Sequence, residues 1–176
     1  MPIVSNVQSL YALLSHRNEL FEIPAYQRRY SWKAQQVYSF YNDINSLSNN
    51  NEDNDSHLFG MIILHTQEGG NKIEVVDGQQ RLTTLTLLLK SIENAYLVLG
   101  DNFEASEIGR LIQVQRNGEI ANKLTLGNMD TEDYCAVIAN QLENIHNKRL
   151  EYAIGYFNSK KNIKACIQSD GGLRGV

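Results

Sequence analysis

Apolar residues recur along this chain at two different intervals, and the change between them marks its most informative point. Residues 72–76 read as a short strand rich in β-branched side chains, with Ile73, Val75 and Val76 as its apolar positions. The chain turns at Asp77-Gly78. From there Leu82, Leu85, Leu89, Ile92 and Tyr96 recur at near-helical spacing and predict a helix over about residues 80–97. Upstream, Val7, Leu10, Leu13 and Leu14 predict a first helix, and residues 20–23 a short strand. Ser31 is placed to cap a helix whose Val37, Phe40, Tyr41, Ile44 and Leu47 share one face. The Asn/Asp-rich stretch 49–56 has no apolar surface to bury and reads as a mobile loop. Residues 58–64 and 72–76 form two strands, and Glu68-Gly69-Gly70-Asn71 between them favours an antiparallel hairpin. Beyond Gly100 the pattern predicts a helix over 104–115, a strand at 124–126, a helix capped near Asp130 and another from about Asn147. Strands early and helices late favour an α+β domain over a doubly wound sheet.

Composition narrows the class. A chain of 176 residues that is 42% hydrophobic can bury one sizeable core. Its net charge of −4 argues against a global electrostatic grip on DNA and leaves room for a local basic patch. No uninterrupted apolar run approaches the ~20 residues needed to cross a bilayer, and no basic–apolar leader opens the chain, so a cytoplasmic protein is expected. Cys135 and Cys166 are far apart, match no metal spacing and read as reduced, packed thiols. His16, His57, His65 and His146 form no ligand spacing, which argues against zinc.

Two polar clusters carry the candidate chemistry. At the strand-to-helix junction, Asp77-Gly78-Gln79-Gln80-Arg81 sits where the first helical N–H groups lack partners and the helix dipole is positive. Arg81 adds a fork of donors, and Gly78 lets a ligand approach the backbone. That combination suits a phosphate-bearing ligand, most naturally a nucleotide. The second cluster, residues 24–32, gathers Tyr26, Gln27, Arg28, Arg29, Tyr30 and Trp32 directly after Pro24, which marks a strand exit. Arginines and aromatics together clamp anions and stack on bases. The plainer alternative is that the aromatics are core and the arginines solvated.

The two clusters in this order resemble a known family. Ile23-Pro24-x-Tyr26-Gln27-Arg28-x-Tyr30-x-Trp32, then Phe59-Gly60-x-Ile62-x-Leu64, then Asp77-Gly78-Gln79-Gln80-Arg81-Leu82-Thr83-Thr84 is similar to the N-terminal domain of GmrSD-type restriction proteins. These are DGQQR-motif relatives of ParB and sulfiredoxin-like domains. The resemblance is strong over about residues 5–100. Lys123-Leu124-x-Leu126 with Asp130, and Asn147-Lys148-Arg149 with Tyr156-Phe157, resemble looser later landmarks. The resemblance implies a ParB/sulfiredoxin-like small sheet surrounded by helices, with a nucleotide-binding core over 1–100, a mainly helical extension of the same domain over 101–168 and a disordered tail over 169–176. It implies an NTP-binding and hydrolysing domain of a bacterial anti-phage system that acts on modified DNA. The alternative is a non-catalytic DNA- or partner-binding module with a vestigial nucleotide pocket. Relatives usually continue into an HNH nuclease domain with paired histidine and asparagine metal ligands. This sequence does not supply them, so no nuclease activity is expected of this chain alone. The expectation is either a piece of a longer protein or a naturally shortened member whose nuclease is separate or missing.

Roles follow from phosphoryl-transfer chemistry, which asks mostly for positioning and charge neutralisation. Arg28 and Arg81 are candidates to hold phosphate oxygens, and Asp77 to hold Mg²⁺, which favours one or two carboxylates plus phosphate oxygens. Gln79 or Gln80 can orient the attacking water, since an amide both donates and accepts. Tyr26, Gln27 or Trp32 can contact sugar or base, and Gly78 and Thr84 complete the nucleotide-binding set. Structural duties compete for these residues. Asp77 can cap the turn, Gln80 can bond backbone, and Thr83 and Thr84 can satisfy early helix groups. Asp43 and His65 read as structural.

Overall fold

The computed structural model describes residues 8–16, 19–49, 59–66, 72–127 and 129–160. Its elements run α1 (Leu10–Ser15), β1 (Leu20–Ile23), α2 (Ala34–Asn49), β2 (Ile63–Thr66), β3 (Lys72–Asp77), α3 (Gln79–Leu99), α4 (Asn102–Ile112), β4 (Gln113–Arg116), β5 (Glu119–Asn122), β6 (Leu124–Leu126), α5 (Thr131–Ile138) and α6 (Lys148–Asn158). The architecture is α+β, as expected. Val7, the 49–56 loop beyond Asn49, the 68–71 turn, Cys166 and the 169–176 tail lie outside the described residues.

Four strands form a small mixed sheet in the order β2-β3-β1-β6. β1 runs parallel to both β3 and β6, with Phe21 opposite Ile73 and Leu124. β2 is antiparallel to β3 with an irregularity between Ile63 and Leu64, so the hairpin predicted upstream of the junction is present. Strand alternation sorts the side chains by face. Phe21, Ile23, Ile73, Val75, Leu124 and Leu126 are buried against the helices, and each truncation to alanine there is expected to cost ~2–5 kcal/mol. Glu22, Glu74 and Thr125 share the opposite face, Glu22 pairing with both others. Gly127 ends β6 where an added Cβ would lie 2.5 Å from the Ile23 carbonyl, so no side chain fits at this exit.

α3 is the organising helix. It buries a near-continuous run of its residues and packs against α4 and α6. By length and composition it could cross a membrane, yet 67% of its most apolar window is buried inside the protein, so its apolarity is spent on packing. Lys123 ties the periphery down: its buried ammonium donates to the Leu14 and His16 carbonyls at the end of α1. Burial pushes its pKa below the ordinary lysine value, and Glu19 pulls it back.

Several boundaries differ from the pattern reading. The helix expected over 104–115 stops at Ile112, and residues 113–122 form the β4–β5 hairpin. Its turn, Asn117-Gly118, has positive φ at both residues, a hairpin signal that the amphipathic spacing concealed. α2 begins at Ala34, and Ser31 does not cap it. The Ser31 N–H is instead held by Gln80, while the Lys33 N–H is met by Gln36 Oε1. Strand β2 starts at Ile63 rather than residue 58. Cys135 is an exposed free thiol, not a packed one, lying on the outer side of α5.

Candidate functional site

The exit loop of β1 and the start of α3 are joined by side chains that grip backbone. Gln80, 7% exposed, accepts the Ser31 N–H on Oε1 at 2.8 Å and donates from Nε2 to the Arg29 carbonyl at 3.2 Å. Thr84 returns its hydroxyl proton to the Gln80 carbonyl at 2.7 Å and meets the Tyr30 hydroxyl at 2.9 Å. Burial pushes the Tyr30 phenol well above the usual tyrosine range, so it is a neutral partner. From the other side, Asp130 Oδ2 accepts the Tyr30 N–H at 2.7 Å, and Asn147 Nδ2 donates to the Tyr30 carbonyl at 3.1 Å. Gln27 fastens the loop to β3 by donating from Nε2 to the Val75 and Val76 carbonyls at 2.7 and 2.8 Å. These bonds hold the segment before and after Arg28 in one conformation.

The junction itself is built for close approach. Gly78 has φ 89°, and a Cβ there would lie 3.0 Å from the Ile62 side chain and 3.2 Å from the Met61 carbonyl. Both facts make glycine the fitting residue at this turn. α3 starts without a side-chain cap and with no acidic residue in its first turn. Its leading N–H groups and positive dipole end are therefore available to an anion. Arg81 reaches outward, donating from a guanidinium nitrogen to the Met61 carbonyl at 2.7 Å.

A shallow cleft with room for about one water molecule lies between the two segments, lined by Ile23, Tyr30, Thr83 and Leu126 and by the polar Arg28, Gln79, Gln80 and Asp130. Ligand pockets more often enclose ~300–1,000 Å³, so any group larger than a water molecule would rest across the mouth of this one. The structure thus brings Arg28, Gln79 and Gln80 onto one cleft. It divides the predicted site residues by what they already bond. Gln80, Gln27, Thr84 and Arg81 are engaged with backbone or hydroxyl groups. Arg28, Asp77 and Gln79 have no side-chain hydrogen bond or ion pair among the described residues. Asp77 is exposed at the last position of β3, just before the turn.

The aromatics separate in the same way. Tyr30 is core. Trp32 packs edge-on against Phe40, which in turn meets Phe59. Tyr26 is 76% exposed and donates its hydroxyl to Glu74, a hydrogen bond that raises the phenol's pKa. His65 approaches the same Glu74 at 3.7 Å, and Asp43 is exposed on α2.

Asp130, expected as a helix cap, and Asn147, expected near a helix start, take part in the site in a way their local pattern does not indicate. Asp130 stands at the N-cap of α5, but its carboxylate caps nothing there. At 1% exposure it binds Arg29 Nε at 2.7 Å, the Tyr30 N–H and Asn147 Nδ2 at 3.0 Å. Asn147 does cap α6, accepting the Arg149 N–H at 3.0 Å, while its own N–H is held by Asp133 at 2.6 Å.

A mixed sheet whose β1 exit loop and strand–glycine–helix junction are bound to each other around one polar cleft defines a DGQQR-type domain. Residues 10–170 match the family described as the GmrSD restriction endonuclease N-terminal domain, and the chain belongs to that family. No curated protein matches it.

Proposed function

We propose that the cleft binds the phosphates of a nucleoside triphosphate and that the domain hydrolyses it, as the nucleotide-dependent part of a restriction system acting on modified DNA. One observation carries this reading. Beside the uncapped start of α3, the charged and amide side chains of Arg28, Gln79 and Asp77 have no partner among the described residues, while Gln27, Gln80 and Thr84 are consumed in holding the two loops together. Arg28 and the first N–H groups of α3 hold phosphate oxygens. Gln79 orients the attacking water, and Gln80 serves the scaffold. Arg81 keeps donors beyond its Met61 bond for the same phosphates. Tyr26, with Gln27 behind it, is the exposed aromatic available to a sugar or base.

Asp77 suits Mg²⁺ as a lone exposed carboxylate that shares the ion with phosphate oxygens. Among the described residues no cluster of three or more acidic, histidine or cysteine side chains forms a protein-only cage. Asp77 would hold the ion, and the chemistry it would supply there is charge neutralisation for phosphoryl transfer. An HNH-type nuclease, in the same polypeptide or a separate one, is the partner such hydrolysis would control.

The small volume of the cleft favours a second reading, a non-catalytic DNA- or partner-binding module. Phosphate release from a panel of ribo- and deoxyribonucleoside triphosphates with Mg²⁺ separates the two. Release that depends on Arg28 supports hydrolysis. Binding without release leaves a nucleotide-sensing module, and neither binding nor release leaves the interaction module.

A further inference from the structure

Four consecutive backbone groups beside Arg28 are all satisfied by side chains from three helices. Gln80 of α3 takes the Arg29 carbonyl and the Ser31 N–H, Asp130 at the start of α5 takes the Tyr30 N–H, and Asn147 at the start of α6 takes the Tyr30 carbonyl. Ordering a loop costs ~1–2 kcal/mol of backbone entropy per residue, and these four bonds offset that cost over residues 29–31. Such rigidity serves a side chain that must be aimed. Arg28 directly precedes the clamped segment, lines the cleft and has no protein partner of its own among the described residues.

From this geometry we infer that Asp130 and Asn147 are positioning residues for Arg28, setting its guanidinium toward the phosphate chain from positions 101 and 117 residues away from the loop they hold. The inference rests on the phosphate-site reading. Asp130 binds Arg29 through Nε, and of the two neighbouring arginines it is Arg28 that lines the cleft. Asn147 divides its amide: Oδ1 caps α6, and Nδ2 holds Asp130 and Tyr30. The two duties can therefore be separated. Serine caps a helix as well as asparagine does but carries no amide donor, so Asn147→Ser keeps the cap and removes the clamp.

The test is a double-mutant cycle on the full chain, with ATP, CTP, GTP and UTP each titrated with Mg²⁺ by calorimetry. Asn147→Ser is expected to weaken binding ~10-fold, the scale of one well-placed charge-assisted contact. In an Arg28→Ala background the same substitution should change binding less than twofold, because a residue acting through Arg28 has nothing left to act on. Asp130→Asn provides a second variant with the same expected pattern. Hydrogen exchange at the Tyr30 and Ser31 amides, without ligand, should quicken in both variants while α6 stays protected. If Asn147→Ser binds as tightly as the unmodified chain, or if its loss adds fully to that of Arg28→Ala, the positioning role is overturned and the phosphate site stands. If the unmodified chain binds none of the triphosphates, the phosphate-site reading falls and takes the positioning role with it.

Discussion

Gln80 Oε1 accepts the Ser31 N–H at 2.8 Å, so the two motif loops, about 50 positions apart in sequence, are joined by a direct bond. The bond explains why two glutamines stand side by side at the start of α3. Gln80 is buried and holds the opposite loop, whereas Gln79 lines the cleft and its amide has no partner among the described residues.

The two glutamines should therefore separate experimentally. Gln80→Ala removes two part-buried hydrogen bonds, to the Arg29 carbonyl and the Ser31 N–H, each contributing ~0.5–1.5 kcal/mol. Thermal unfolding should shift down by several degrees, at ~2–4 °C per kcal/mol for a domain of this size. Gln79→Ala should leave the melting temperature within ~1 °C and lower turnover, with affinity nearly unchanged. Equal melting shifts in the two variants would contradict the division.

Arg28→Ala should weaken triphosphate binding ~10–100-fold, since a charge-assisted bond to phosphate contributes ~1.5–3 kcal/mol. The fold should be untouched, because the side chain is exposed and has no protein partner among the described residues. A calorimetric titration beside a melting curve checks both. Unaltered affinity would place the phosphates elsewhere.

Asp77→Asn and removal of Mg²⁺ by a chelator should have the same effect: turnover falls by more than affinity does, the mark of a group acting mainly in the transition state. Single-turnover phosphate release with and without chelator measures it. A variant that keeps wild-type turnover would remove Asp77 from the chemistry.

Asp133 ties stability to pH. Burial pushes its carboxyl up, but the His146 and Asn147 N–H groups and the His146 ring outweigh burial and hold it below its ordinary 3.8. A depressed value in the folded state means the stabilisation is complete above the unfolded-state value and is lost as pH falls through the folded one. Asp133→Asn should lower the melting temperature at neutral pH and lose that part of the acid dependence which lies below about pH 4. An unchanged difference between mutant and wild type across that range would show that Asp133 does not titrate with unfolding.

The sequence made the centre of this fold legible and its edges less so. β1, β3, β6 and α3 lie where their apolar spacing predicts, because each packs a continuous apolar face on the core. The β4–β5 hairpin was hidden because Leu111, Ile112 and Val114 continue a helical spacing past the true end of α4, and the Asn117-Gly118 turn is the overriding local signal. Within the site, residue identity pointed to the right segments but could not divide labour among them. Gln79 and Gln80 are chemically identical, and only burial shows which one is spent on backbone. Asp130 was legible as a cap, whereas its bonds to Arg29 and Tyr30 span about 100 positions that no local pattern encodes.

If both loops serve one nucleotide site, hydrogen exchange with and without a triphosphate and Mg²⁺ registers the ligand in both at once. Exchange slows only where ligand contacts or orders the backbone. Residues 24–32 and 77–84 should gain protection together, with the amides around Arg28 and at the start of α3 changing most. Protection confined to 77–84 would contradict the shared site and return Tyr26, Gln27 and Arg28 to a scaffolding or DNA-facing role.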